Sequence, residues 1–164
     1  MPSSRVLGID PGLVGTGWAL VEPGSGRVGV IDTGVISTAA ELPLEARVQL
    51  IYDGVDRVLR TWAPQLLVLE DLYTEYRFPR TALLMAHARG VICLAARQRG
   101  VSVLALAPAE VKRAIAANGA ASKAQIQTGV QRLLGLAAAP RPSHIADALA
   151  LALTGLSRRG GRLS

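Results

Sequence analysis

The chain lacks the residues and segments that mark secreted or membrane-spanning proteins. Its one cysteine, Cys93, cannot form an intrachain disulfide, which fits a reducing compartment. The first ten residues contain no charged segment followed by an apolar run, and no apolar run reaches membrane-spanning length. We therefore expect a soluble cytoplasmic protein that does not contact a membrane.

Lysine is almost absent, although the chain is strongly basic. Of eighteen Lys and Arg residues only Lys112 and Lys123 are lysine, and both lie between the last predicted strand and the late helices. A lysine ammonium is a compact point charge, so this placement predicts contacts to phosphate near a site. The alternative is that both are solvated helix residues.

Aromatic residues are also few, and half of the six lie in one short segment after Glu70. The segment holds Tyr73, Tyr76 and Phe78 together with Arg77 and Arg80. Aromatic rings interleaved with arginines suit stacking on unpaired bases. The alternative is that the rings pack this loop against the following helix.

Composition predicts one globular domain with a polyanionic partner. The chain has 164 residues, half of them hydrophobic, a formal net charge of +6 and a pI near 10.4. This length is enough for one domain with its own core, which we place at residues 1–157 with a short basic tail at 158–164. Nucleic acid fits the charge better than a membrane surface, because no amphipathic basic helix is present.

Apolar spacing and turn signals predict an α/β chain with five strands and five helices. Strands at 6–9, 18–22 and 27–36 form an antiparallel meander. Helices at 43–62 and 81–98 alternate with strands at 66–69 and 101–107, and the second helix is apolar on every side, as in a core or a subunit interface. Helices at 108–117, 122–134 and 145–156 complete the chain, with Ser122 and Ser143 as expected N-caps.

Three acids lie at the end of an apolar segment or within one. Asp10 closes the first strand before a Pro-Gly turn, and Glu70 ends the strand at 66–69. Asp147 lies in an apolar helix whose neighbours leave no solvated face for a carboxylate. Because ligands gather at strand ends in sheets with parallel strands, we expect the three to meet around divalent cations that balance their repulsion.

Each acid alone also has an ordinary explanation. Asp-Pro-Gly is favourable turn chemistry, Glu70 fits a solvated strand end, and an acid in a first helical turn suits the helix dipole. His144 lies three residues before Asp147, on the same side of the helix and within range of the same ligand. His87 we interpret as a core or interface histidine. The metal hypothesis therefore depends on the acids as a set.

The order of elements and several motifs resemble the RuvC-type Holliday-junction resolvases of the ribonuclease-H-like fold. The matching motifs are Gly8-Ile9-Asp10-Pro11-Gly12, Leu67-Val68-Leu69-Glu70, Ala88-Arg89-Gly90, Val111-Lys112 and Ala146-Asp147-Ala148-Leu149-Ala150. The resemblance covers nearly the whole chain. It implies a five-stranded mixed sheet flanked by helices, in which strands 1–3 form the meander and strands 4 and 5 run parallel to strand 1.

The resemblance implies a homodimeric endonuclease that cuts two strands symmetrically across a four-way DNA junction in recombination and repair. Two divalent ions, Mg²⁺ or Mn²⁺, would be held by Asp10, Glu70, His144 and Asp147, with Asp10 bridging both. Many family members carry aspartate in place of His144, and an imidazole here favours manganese. The resemblance also supports DNA contacts by the lysines, and it suggests a branch-migration complex as a further partner.

Two other functions are compatible with parts of the sequence. A junction-binding protein without catalysis would keep the basic surface while losing an acid, and no acid is missing here. The pattern Gly8-x-Asp10-x-Gly12 with Thr16-Gly17 also resembles the phosphate loop of actin-like ATPases and sugar kinases. Those proteins need two such domains closing over a nucleotide, and this chain has length for one.

Overall fold

A computed structural model describes residues 4–72 and 78–163, in which five strands form one sheet. The strands are β1 Val6–Asp10, β2 Gly15–Glu22, β3 Gly29–Ser37, β4 Leu66–Glu70 and β5 Ser102–Leu106. Their order is β3-β2-β1-β4-β5; β1, β2 and β3 pair antiparallel, whereas β4 runs parallel to β1 and β5 parallel to β4. The predicted meander and the two parallel strands are confirmed.

Five helices follow the predicted order in the described residues. They are α1 Leu44–Trp62, α2 Pro79–Gln98, α3 Pro108–Ala116, α4 Lys123–Leu134 and α5 Ser143–Arg158. Proline opens α2 and α3, where its missing N–H is not needed by the helix. None of these helices combines the length and the apolar character needed to cross a bilayer.

The sheet separates two apolar layers because neighbouring strand residues point to opposite faces. Leu7 and Ile9 of β1 pack with the inner faces of α1 and α2. Val6 of β1 and Val68 of β4 pack on the other side, with α3, α4 and α5. Each fully buried aliphatic side chain contributes about 1.5 to 3 kcal/mol through removal from water, so the two layers together hold the sheet in place.

Helix α5 lies unusually close to the sheet. A β-carbon added at Gly8 would overlap the carbonyl oxygen of Ala148, and one added at Gly17 would overlap that of His144. These glycines have no side chain to separate the layers, so the first turns of α5 approach the end of β1 directly. The close approach sets the position of His144 and Asp147 relative to Asp10.

Two local predictions were wrong. Strand β2 begins at Gly15 instead of residue 18, because Gly15 and Gly17 pair with Ser37 and Val35 of β3. The prediction of Ser143 as an N-cap was also wrong: α5 begins at Ser143, its N-cap is Pro142, and no side chain caps it.

The second helix is only half buried. Its inner residues Ala88, Ile92 and Ala95 are buried against the sheet, whereas Leu83 and Leu94 are exposed. Of the two expectations for this helix, burial in a core therefore holds for one face only. The other face is an open apolar surface.

Candidate active site

Asp10 is delivered to the site by the end of β1. The strand is buried up to Ile9, and Pro11 and Gly12 turn the chain away, so the carboxylate stays at the edge of the sheet. Its Oδ2 lies 3.1 Å from Nδ1 of His144. Burial raises the pKa of Asp10, the hydrogen bond from His144 opposes that rise, and the charge of Asp147 adds to it.

Glu70 reaches the same edge from the neighbouring strand. Strands β1 and β4 are parallel, with Val6 beside Leu66 and Gly8 beside Val68, so their last residues end side by side. Although Glu70 is exposed as a residue, protein atoms around its carboxyl group raise its pKa, and the charges of Asp10 and Asp147 raise it further. The two acids therefore interact electrostatically.

Asp147 completes the set from the first turns of α5. The helix is buried from Ala148 to Leu156, while Asp147 keeps its carboxylate at the rim of the sheet. Asp10, Glu70 and Asp147 all line one cavity of about 270 Å³. Three acids from distant segments of the chain therefore line one cavity, and their role as metal ligands stays a prediction.

Two basic residues also line this cavity. They are Lys112 of α3 and Lys123 of α4. The Nζ atom of Lys123 lies 3.6 Å from Oδ2 of Asp147, and the charge of Lys112 lowers the pKa of Glu70 against the effects that raise it. The only two lysines of the chain therefore face its three converging acids.

The donor set fits divalent cations. Carboxylate oxygens are the ligands that hard cations prefer. Burial, together with the charges of neighbouring acids, raises the pKa values of Asp10 and Glu70, so a bound cation would stabilise their ionised forms. Within residues 4–72 and 78–163, no three His, Cys, Asp or Glu side chains are already close enough together to hold a metal ion. Lys123 supplies a positive charge beside Asp147, in the position where a bound cation would also be favourable.

His144 is turned towards Asp10. Its Nδ1 makes the contact with the carboxylate, and its Nε2 edge lies beside Gly15 of β2, where a β-carbon would be 3.5 Å away. The arrangement places an imidazole next to the acid predicted to bridge two ions. His144 is thus a hydrogen-bond partner of Asp10 here.

Two of the predicted DNA-contacting residues after Glu70 lie on the surface. Phe78 is 67% exposed and Arg80 is exposed at the start of α2. Exposure of Phe78 argues against the alternative in which this ring packs the loop against α2. Tyr73, Tyr76 and Arg77 lie outside the described residues.

Sequence reasoning missed one charged residue at this edge of the sheet. Arg89 of α2 appeared only as part of a matching motif, yet it lines a second, smaller cavity beside Asp10 and Glu70. A single arginine among the basic residues of a helix gives no signal in the sequence. Its relevance depends on which way the side chain points after folding.

Comparison with known proteins gives one consistent result. The family model described as crossover junction endodeoxyribonuclease RuvC matches residues 6–155. A protein of that name from Rhodopirellula baltica is 43% identical over 153 residues, which are 93% of this chain and 86% of the relative. One from Fusobacterium nucleatum is 37% identical over 160 residues, 98% of this chain and 84% of the relative.

Solved structures agree with the sequence relatives. The structure of Thermus thermophilus RuvC has a TM-score of 0.86 at 37% identity and covers 96% of this chain and 97% of that one. T. thermophilus RuvC in complex with Holliday junction substrate gives 0.88 at 36% identity, with 96% of both chains covered. A yeast mitochondrial Holliday junction resolvase, 15% identical with a TM-score of 0.68, shares the fold over 96% of this chain and 79% of its own.

Proposed function

Because the chain belongs to the RuvC family of crossover junction endodeoxyribonucleases, we propose that it resolves four-way DNA junctions by symmetric, two-metal hydrolysis of phosphodiester bonds. The observation that carries the proposal is the cavity in which Asp10, Glu70 and Asp147 face Lys112 and Lys123. A metal-dependent phosphodiesterase needs acids to hold its cations, and lysines suit the phosphate of its substrate. A non-catalytic junction binder would have no use for the acids.

The family is metal-dependent, and the acids of this chain fit that requirement. When bound, divalent ions lower the pKa of water and stabilise the charge on a leaving oxygen. Asp10 lies between His144 on one side and the shared cavity on the other, which supports a bridging role. Glu70 and Asp147 would hold one ion each, and His144 would ligate an ion or accept a proton. We also propose that the site binds two ions and prefers Mn²⁺.

The lysines provide the chain's own part of substrate binding. Lys112 and Lys123 would hold the phosphates that flank the cleaved bond, because an ammonium in the cavity attracts the phosphate and offsets the repulsion between DNA and acids. Lys123 would exchange its contact with Asp147 for one with phosphate. Phe78 and Arg80, which are exposed at the start of α2, would contact the unpaired branch point together with Tyr73, Tyr76 and Arg77.

We propose that two copies act together through the outer face of α1 and α2. Leu50, Leu83 and Leu94 are exposed there, and Leu94 lines an apolar groove between the two helices. Exposed apolar patches of this kind mark interfaces. Two symmetric cuts require two sites, which a dimer supplies.

The dimer proposal is tested by analytical ultracentrifugation. Leu94→Glu should yield monomers and single-strand nicks instead of paired cuts, whereas Val30→Glu, at an exposed apolar position of β3, should leave the dimer intact. A dimeric Leu94→Glu variant would exclude this face as the interface.

The central experiment compares a labelled four-way junction with a linear duplex of the same sequence. We expect paired cuts in the junction only, and only when divalent metal is present. Equal cutting of the duplex would contradict junction selectivity, and tight binding without any cutting would support the non-catalytic alternative. A cytoplasmic location follows from the DNA substrate as part of the proposal, and contact with a branch-migration complex stays a prediction.

A further inference from the structure

Arg89 has a buried donor that nothing satisfies. The residue lies on the inner half of α2, directly after Ala88, which is fully buried. Its Nη1 atom is inaccessible to solvent and has no hydrogen-bond partner in the part of the chain that the structure describes. An unsatisfied buried donor costs about 1 to 3 kcal/mol, and more when it is charged, so a missing partner is expected at this position.

The space beside Arg89 is a small cavity at the edge of the sheet. It is lined by Asp10, Glu70, Asp71 and Arg89, together with Pro11, Leu72 and Met85. Asp10 and Glu70 also line the main cavity, which the lysines face. These two acids therefore separate the main cavity from the small one.

Arg89 does not pair directly with these acids. None of the ion pairs between described residues joins Arg89 to Asp10, Glu70 or Asp71. The cavity between them leaves space for a small group that joins the guanidinium to the carboxylates.

The size of the cavity fits one water molecule. The space open to the centre of a water molecule is about 10 Å³, and a single buried water needs roughly 10 to 15 Å³ on this measure. A phosphate group is too large. Water also has the required polarity, since it accepts a hydrogen bond from Nη1 and donates two to carboxylate oxygens.

We propose that Arg89 is a positioning residue of the nuclease site, holding one ordered water in the small cavity that orients the carboxylates of Asp10 and Glu70. This inference depends on the proposed function, because the orientation matters only if these acids hold divalent ions. Outer groups that orient metal ligands typically change metal affinity by about 10- to 100-fold when they are removed. Arg89 would act in this way without touching metal or DNA.

The first test measures Mn²⁺ binding to DNA-free protein by calorimetry. Arg89→Met should bind Mn²⁺ about 10- to 100-fold more weakly than the wild type, and Arg89→Lys should recover part of the loss because its ammonium can still donate to the water. Arg97→Met, which removes an exposed arginine from the same helix, should bind as the wild type does. Junction affinity without metal should be unchanged in all three variants.

The second test is a high-resolution crystal structure of the wild type, which needs no variant to fold. We expect a water within about 3.2 Å of Nη1. An empty cavity, unchanged Mn²⁺ affinity in a folded Arg89→Met variant, or a lower salt dependence of junction binding in that variant would each overturn the proposal. Failure of the wild type to cut junctions would overturn the proposed function instead. The tests of Arg89 measure Mn²⁺ affinity and an ordered water, so they do not depend on cleavage.

Discussion

The acidic and basic walls of the main cavity are built by different parts of the fold. Asp10 and Glu70 end two paired strands that are buried up to their last residue, and Asp147 belongs to a helix buried from Ala148 onward. Lys112 and Lys123 lie on α3 and α4, which pack against each other and against α5 outside the sheet. The side chain of Lys123 is 63% exposed.

This difference matches two chemical requirements. Ligands of catalytic ions must be held within a fraction of an ångström, which buried strands and a closely packed helix provide. Phosphate contacts tolerate movement, because a flexible ammonium attracts a charge over several ångströms. The fold therefore holds in place the three acids that we propose bind the ions, and it leaves the side chain of Lys123, a proposed phosphate ligand, mostly exposed.

The largest expected effect comes from breaking the acidic wall. Asp10→Asn, Glu70→Gln and Asp147→Asn should each lower the cleavage rate by about three powers of ten or more, because the ions supply several kcal/mol to the transition state. Junction affinity should stay unchanged, since phosphate contacts carry it. The rate is measured in single turnover with saturating metal.

The matched control is Asp53→Asn, which removes an exposed acid from α1. It should cut at the wild-type rate. Near-wild-type cutting by any of the three site variants would mean that the acid concerned is not needed to hold the ions.

A smaller effect is expected at the surface next to the acidic wall. Phe78→Ala should weaken junction binding by about 5- to 150-fold, since stacking on a base contributes roughly 1 to 3 kcal/mol. Its thermal stability should not change, because the ring is mostly exposed. Fluorescence anisotropy with labelled junction measures the affinity; lower stability with normal affinity would instead identify a packing role.

Removing either lysine of the basic wall should reduce both the cleavage rate and the affinity for junction DNA without abolishing either. Lys112→Ala and Lys123→Ala should each lower the salt dependence of junction binding by about 0.7 to 0.9 in the slope of log K against log salt. Arg27→Ala, an exposed residue before β3, is the control. Unchanged slopes would support the alternative that both lysines are solvated helix residues without phosphate contacts.

Without metal, substitutions in the acidic and basic walls should change the melting temperature in opposite directions. Because the folded-state pKa values of Asp10 and Glu70 are raised, their contribution to stability is present below the ordinary carboxyl pKa and is lost as pH rises through the raised values. Asp10→Asn and Glu70→Gln should therefore raise the melting temperature at pH 7, by about 2 to 4 °C per kcal/mol. Lys112→Ala should lower it.

The control for this prediction is the same comparison of variants at low pH. At a pH where wild-type Asp10 and Glu70 are already protonated, calorimetry should find no gain from the amide variants. A gain that persists there would show that the stabilisation has another cause.

The fold was predictable because its signals are local. Ser122 illustrates this: it caps α4 and forms a capping box with Gln125, three residues later in the sequence. Ser143 has Ala146 at the equivalent position, which offers no reciprocal hydrogen bond, and α5 begins without a side-chain cap. A pair of residues predicts a cap better than one residue does.

The acids were predictable for a related reason. Each interrupts an apolar pattern, and parallel strands bring Asp10 and Glu70 to one edge of the sheet. The orientation of His144 and the unsatisfied nitrogen of Arg89 were not predictable, because both depend on packing between α-helices and the sheet. The start of β2 was missed because glycine lowers strand propensity while permitting the close approach of α5.

The smallest expected effect concerns the choice of metal at the edge of the acidic wall. His144 places an imidazole nitrogen beside Asp10, and a nitrogen ligand at this position would favour Mn²⁺ over Mg²⁺ more than a further carboxylate would. We expect the wild type to cut faster with Mn²⁺, and His144→Asp to reduce the ratio of the two rates.

The same substitution should alter the pH profile of cutting. Only a neutral imidazole can ligate a metal or accept a proton, so wild-type activity should rise as pH increases and histidine is deprotonated. A carboxylate loses its proton at lower pH, so His144→Asp should move that rise to lower pH. Arg27→Ala, the exposed control used for the lysines, should affect neither property. If His144→Asp matches the wild type in both the metal ratio and the pH profile, His144 only orients Asp10, and the acidic wall acts through its three carboxylates alone.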